Sequence, residues 1–227
     1  MIQVPQLPGF KNPVHDAQTT FRNLLEALAN PGSQHQITAL IEAPAGLNPA
    51  SAAACLTLFD LETQVWLQPT IKAEVKNWLL FHTGCRFTDE PREADFAIIN
   101  NCRLIPSLSA FNQGTDQEPE ASTTLLIQVE NFKAGEPVNL SGPGIEKTRS
   151  LTVNGLSSAF WEGLTNNIHN YPLGVDIFLF TTDTVVGLPR TTRANRDQDL
   201  RTDVTPGRGA KPCAPTDGGS KVNLRKS

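Results

Sequence analysis

An α/β fold, a mixed sheet flanked by helices, is what this chain of 227 residues predicts, and three observations carry it. Segments with a helical apolar period alternate with short β-branched or aromatic apolar runs along most of the chain. Three of those runs, Phe96 to Asn100, Thr124 to Val129 and Val175 to Phe180, have the character of buried strands. Proline and glycine mark the junctions, at Asn30-Pro31-Gly32, Asn48-Pro49, Gly142-Pro143-Gly144 and Pro172-Leu173-Gly174.

The elements follow in order. Residues 1–13 hold Pro5, Pro8 and Pro13 and are extended. Asp16 is placed to cap a helix whose apolar face is Phe21, Leu24, Leu25 and Leu28. Pro31-Gly32 stops it, and Gln34 to Ile41 reads as a strand. Pro49, suited to a first helical position, opens an Ala-rich helix to about Phe59. A short strand, Gln64 to Gln68, precedes a helix from Ile71 to about His82, with Thr70 as its cap. Val75, Trp78, Leu79 and His82 lie along one side of it. The Phe96 strand follows an acidic loop, Asp89 to Asp95, and Pro106 opens a short helical segment over Ile105 to Phe111. After the polar stretch Asn112 to Ser122 and the Thr124 strand, Val138 to Ser141 and Leu151 to Asn154 bracket the Gly142-Pro143-Gly144 turn. A helix over Ser158 to Asn167 puts Phe160, Trp161 and Leu164 on one face. The strands Val175 to Phe180 and Thr184 to Leu188 complete the fold, and Pro189-Arg190-Thr191-Thr192-Arg193 ends it.

Composition bounds the function. Residues 1–193 suffice for a single domain with a real core, and they carry a net charge of −7. Such a body is a poor nucleic-acid surface, because phosphate neutralisation needs clustered Lys and Arg. No apolar run has the roughly 18–20 residues of a membrane span. With no export signal read at the N-terminus, the expected location is cytoplasmic, and Cys55, Cys85, Cys102 and Cys213 are expected as free thiols. Residues 194–227 form a polar, Gly/Pro-rich, basic tail with four large aliphatics, too few to offset the entropy of ordering it, so it is expected to be disordered.

Candidate chemistry is sparse. Ser141-Gly142-Pro143-Gly144 is not a phosphate loop, since it lacks the G-x-x-x-x-G-K-[ST] pattern and Pro143 has no N–H; a plain turn is expected. His82 and Cys85 are half a metal site with no second half nearby, so no metal is expected. Glu118 and Glu120 resemble a carboxylate pair, but as acidic residues of a polar loop they read as solvated. His15 and Asp16 precede a helix, where capping accounts for the Asp. No G-x-S-x-G and no Cys with an assigned base appears, so no catalytic residue is assigned. Arg190, Thr191, Thr192 and Arg193 are the one candidate site: two guanidinium forks and two hydroxyls, for an anion or an assembly contact. On an extended segment the two arginines face opposite sides, so they are expected to do different jobs, one paired internally and one free.

The motifs also carry a resemblance. Gly142-Pro143-Gly144-Ile145, then Asn154-Gly155-Leu156-Ser157 with Phe160-Trp161, then Tyr171-Pro172-Leu173-Gly174-Val175-Asp176, then Leu188 to Arg193 resemble the PhnH family, the H subunits of the bacterial carbon–phosphorus lyase system. So do Gly9-Phe10, Pro13-Val14, Asp16-Ala17-Gln18, Phe21-Arg22, Leu24-Leu25 and Pro31-Gly32, and the block of Gly114-Thr115, Pro119-Glu120 and Thr124-Leu125. The blocks run in family order from Pro8 to Arg193.

The resemblance implies a fold like the large domain of pyridoxal-phosphate-dependent transferases, without the cofactor. It implies a subunit of the phosphonate C–P lyase core complex, needed with the G, I and L components to form α-D-ribose 1-methylphosphonate 5-triphosphate from ATP and methylphosphonate. The implied role is architectural, in phosphonate catabolism, with no complete active site of its own. The implied partners are the G, I and J subunits, J most directly, and a second copy when the protein is isolated. The alternative is a small enzyme or ligand-holding subunit that grips a phosphonate or nucleotide phosphate at Arg190 and Arg193.

Overall fold

The computed structural model describes residues 7–39 and 41–195. Its helices are Pro13–Ala29 (α1), Pro49–Leu58 (α2), Ala73–Thr83 (α3) and Ser158–His169 (α4). Its strands are His35–Gln36 (β1), Gln64–Leu67 (β2), Arg86–Thr88 (β3), Phe96–Ile99 (β4) and Thr124–Gln128 (β5). They continue with Pro137–Ser141 (β6), Arg149–Thr152 (β7), Asp176–Phe180 (β8), Thr184–Leu188 (β9) and Arg193–Asn195 (β10). Seven strands form one mixed sheet in the order β1-β9-β8-β5-β4-β2-β3. β8, β5, β4, β2 and β3 are parallel, and β9 runs against both of its neighbours. β10, β6 and β7 form a second, antiparallel sheet. Among the described residues, no helix is long and apolar enough to cross a membrane.

Alternation along each strand divides the core into two layers. Ile98, Leu126, Phe178, Phe180 and Val185 face α1, α2 and α3. Ile99, Leu125, Ile127, Ile177, Leu179, Val186 and Leu188 face α4 and the small sheet, where Phe160, Trp161, Leu164, Val138, Leu140 and Leu151 meet them. Both faces of β4, β5 and β8 are therefore dry, which explains why their sequences are near-continuous apolar runs. α2 is buried from Ala50 through Cys55; its small side chains let it lie close beneath its neighbours.

Several expectations are corrected. Asn12, not Asp16, caps α1: its side chain accepts from the His15 N–H at 3.4 Å, while its own N–H donates to Asp16 Oδ2 at 2.9 Å. The buried face of α1 is Thr20, Leu24 and Ala27; Phe21 is 45% and Leu25 51% exposed. The reason lies on β9. A Cβ at Gly187 would come within 2.5 Å of the Ala27 carbonyl, so the helix rests directly on the strand there and Ala27 must face inward. That rotation turns Phe21 and Leu25 outward. Thr70 does not cap α3, whose N-cap is Lys72 without a side-chain bond; Thr70 instead donates to Asn100 Oδ1 at 2.6 Å. The strand expected over Gln34 to Ile41 shrinks to two residues. The helical segment expected over Ile105 to Phe111 is reduced to one 3₁₀ turn, Leu108–Ala110; another, Cys102–Leu104, lies just before it. β3 was not expected; its three residues are too few to show a period. The fold also runs two residues past Arg193, because Ala194 and Asn195 pair with β6. From residue 196 on, the expected tail, with Cys213, lies outside the described residues.

Candidate functional site

Arg190 sits just past the end of β9, beside the start of β8. The two strands are antiparallel, with Ile177 opposite Leu188, so the residue two beyond Leu188 reaches Asp176. The Arg190 backbone N–H donates to Asp176 Oδ1 at 2.8 Å, and its guanidinium Nη2 reaches Oδ2 at 2.6 Å. Nε lies 3.3 and 3.2 Å from the two carboxylate oxygens. Nη1 donates to the carbonyls of Pro119 at 2.7 Å and Pro172 at 3.1 Å, and Nη2 also to Ser122 Oγ at 2.6 Å. A guanidinium has five N–H bonds, and all five are occupied. The side chains are 13% exposed for Arg190 and 23% for Asp176, so the pair is well shielded from solvent.

The other three residues of the segment scatter. Thr192 is buried, and its hydroxyl has no partner among the described residues. Thr191 is half-buried and Arg193 exposed on β10, facing Ser141 across the pair. The structure does not bring the two forks and two hydroxyls to one point, and Arg190 has no N–H left for an anion. Arg190 is the internally held arginine and Arg193 the outward one.

The sequence blocks do converge here, though. Arg190 ties together the Pro119, Pro172-to-Asp176 and Pro189-to-Arg193 segments. The Gly142-Pro143-Gly144 turn closes the other side of the corner. A Cβ at Gly142 would meet the Thr191 carbonyl at 2.7 Å, and one at Gly144, where φ is +81°, would overlap the Ala29 carbonyl. Arg149 bridges from β7 to the carbonyls of Asn30 and Pro31, at 3.0 and 2.7 Å. The turn is a packing device. Asp176 was the partner the sequence reading missed; a carboxylate opening an otherwise buried strand was the available signal.

The remaining candidates are structural or solvated. His82 Nε2 lies 3.0 Å from the Leu7 carbonyl, and its ring packs on Trp78 and Phe81. Burial pushes the Cys55, Cys85 and Cys102 thiols up; for Cys55 the neighbouring Cys85 adds to the effect. Thiols so held are poor nucleophiles. Glu118 and Glu120 are exposed. Among the described residues no three His, Cys, Asp or Glu side chains group to hold a metal.

In open parallel sheets, ligands settle at the crevice between strands whose crossovers leave on opposite faces. The α3 crossover after β2 lies on one face and the chain leaving β4 on the other. The crevice between their C-terminal ends is filled by Gln68. Its Nε2 donates to the carbonyls of Asn101 and Leu104 at 3.2 and 2.9 Å. Its Oε1 accepts from the Asn101 N–H at 2.8 Å and the Thr70 hydroxyl at 3.2 Å. The nearby N-terminus of α2 is likewise spent. Asn48 Oδ1 takes the Ser51 N–H and the Thr182 carbonyl takes the Ala50 N–H, while Pro49 has none to offer.

Comparison with known proteins bears on this geometry. The family model for bacterial phosphonate metabolism protein (PhnH) matches residues 8–195. The α-D-ribose 1-methylphosphonate 5-triphosphate synthase subunit PhnH of Rhizobium meliloti (strain 1021) is 36% identical over 190 residues, covering 83% of this chain and 95% of that protein. HtxG of Stutzerimonas stutzeri, whose name makes it provisionally a C-P lyase subunit, is 28% identical over 178 residues, covering 78% of this chain and 85% of that protein.

Proposed function

This chain belongs to the PhnH family of bacterial phosphonate metabolism proteins, and from that premise we propose that it is a subunit of a phosphonate C–P lyase complex. Its role there is mainly architectural, within the assembly that forms α-D-ribose 1-methylphosphonate 5-triphosphate. The observation that carries this reading is the outward flank of α1. Val14, Phe21 and Leu25 are 82%, 45% and 51% exposed, and with Gln18 they follow the 4-3-4 spacing by which one helix packs on another. Apolar side chains aligned on one outward helix flank suit a contact with another subunit. Arg193, exposed beside the corner that Arg190 closes, is the polar counterpart.

The finer readings rest on the resemblance. The partners are the G, I and J subunits, J most directly, or a second copy when the protein is alone, and the location is cytoplasmic. The sheet is that of the pyridoxal-phosphate transferase large domain without its cofactor, a reading supported by seven strands of which one is reversed. Support for the missing cofactor comes from Gln68 in the crevice, the spent α2 terminus, and the lysines. Lys11, Lys72, Lys76, Lys133 and Lys147 are all exposed, and Lys76 lies over the Phe87 ring. A Schiff-base lysine would have to stand in the site. Residues 1–193 act as one domain, with β10 extending it by two, and the tail beyond is dispensable.

The test is genetic complementation. A strain lacking this gene should fail to grow on methylphosphonate as sole phosphorus source while growing on phosphate, and the intact chain should restore growth. Growth of the deletion strain on methylphosphonate at the parental rate refutes the reading.

A further inference from the structure

Beside the crevice that Gln68 fills, a second cleft of about 360 Å³ opens at the C-terminal ends of β4, β5 and β8. Asn48, Asn100, Asn101, Arg103, Gln128 and Glu130 supply its polar wall. Their hydrogen bonds are unevenly spent. Asn101 Oδ1 accepts the Arg103 N–H at 3.1 Å, and Asn100 Oδ1 the Thr70 hydroxyl. Gln128 Oε1 accepts the Asn48 N–H at 2.6 Å, and Gln128 Nε2 donates to the Gly46 carbonyl at 3.0 Å. Glu130 gives one oxygen to Arg103, at 3.1 Å, and the other to Asn154. Every side-chain amide and carboxylate oxygen in the wall is thus engaged by the chain itself.

The donors are not. Among the described residues, Asn100 Nδ2, Asn101 Nδ2 and Arg103 Nε and Nη1 have no partner, and only Nη2 of Arg103 is used. The Arg103 side chain is 67% exposed, so it turns at little cost. A wall whose amide and carboxylate oxygens each already hold a donor, while several of its N–H groups stay free, complements a group that offers only acceptors. The geometry points to this cleft as a binding site for a phosphoryl-type oxyanion, with Arg103 as its principal ligand and the two asparagine amides beside it. Phosphate, a phosphonate and a nucleotide phosphate share that chemistry. Glu130 holds Arg103 in place while the cleft is empty, and it competes with the anion for the same guanidinium. The site lies at the opposite end of β8 from Arg190 and does not depend on the subunit reading.

Isothermal titration of the full chain with inorganic phosphate, methylphosphonate and ATP tests this. One site per chain is expected for at least one of the three, and the tightest identifies the source of the oxyanion. The two substitutions at the pair should act in opposite directions. Arg103→Gln, at an exposed position, weakens binding by about tenfold or more, the worth of a charged hydrogen bond. Glu130→Gln tightens it by releasing the guanidinium, and Arg92→Glu, at an exposed position away from the cleft, leaves it unchanged. Circular dichroism confirms that each variant folds. Absence of saturable heat with all three probes overturns the proposal, as does unchanged binding in Arg103→Gln, weaker binding in Glu130→Gln, or loss of binding in Arg92→Glu. None of those outcomes alters growth complementation, so the subunit reading stands or falls separately.

Discussion

Two arginines sit at opposite ends of the same parallel strands and do opposite work. Arg190, at the start of β8, spends all five N–H bonds on Asp176, Ser122 and two proline carbonyls. Arg103, past the end of β4, spends one side-chain bond, on Glu130, with both partners more than half exposed. Side-chain chemistry is identical in the two places. What differs is how many other chain segments converge on each fork: two at Arg190, Pro119 to Ser122 and Pro172 to Asp176, and a single carboxylate at Arg103. A guanidinium encircled by its own chain is part of the framework, whereas one tethered at a single point remains available to something else.

The largest expected effect breaks the first half of that comparison. Arg190→Ala strands a shielded carboxylate and frees those two segments, and should cost about 3–5 kcal/mol in denaturant unfolding. Arg103→Gln, an exposed pair, should cost about 0–1 kcal/mol. Equal costs would mean that convergence of segments is not what distinguishes the two. Next, Gly144→Ala probes the turn that buttresses the Arg190 corner. The added Cβ would overlap the Ala29 carbonyl at a left-handed φ, and a loss of about 1–3 kcal/mol is expected in the same assay.

A smaller effect concerns three buried thiols on the two faces of the sheet. The native thiols of Cys55, Cys85 and Cys102 are raised by burial, so the unfolded chain ionises first. Stability from this source is complete below the unfolded thiol value of about 8.5 and is lost as pH rises above it. Urea midpoints measured from pH 7 to pH 10 should decline at the alkaline end, and the decline should shrink in a Cys55→Ala variant. Smallest of all on stability is Phe21→Glu, a surface change expected to stay within about 0.5 kcal/mol.

Most of the fold was legible because the apolar runs are long and buried on both sides. β4, β5, β8 and β9 were placed to within a residue or so by period and breakers alone. β1 and β3 were misjudged because pieces of two or three residues have no period to read. The face of α1 was misassigned for another reason. Phe21, Leu24, Leu25 and Leu28 form one plausible stripe, and only the contact of Ala27 with Gly187, distant in sequence, decides which part of it turns inward. Strand alternation led to the expectation that the two arginines would be divided; Arg190 is held internally and Arg193 is exposed, while the four residues of the segment do not meet at one point. Asp176 was missed although a carboxylate opening a buried strand was a readable signal, and the donor-rich cleft was not found because its meaning depends on which hydrogen bonds remain unspent. Only assembled loops from four chain segments reveal that.

Docking of this chain in an assembly through α1 is tested most directly by co-expression with the G, I and J subunits of the same source, purifying through a tag on this chain. The wild type should bring down the others in fixed stoichiometry. Phe21→Glu should come down alone while keeping the wild-type melting temperature. A wild-type chain that elutes by itself, or a Phe21→Glu variant that retains the full complement of subunits, would contradict it.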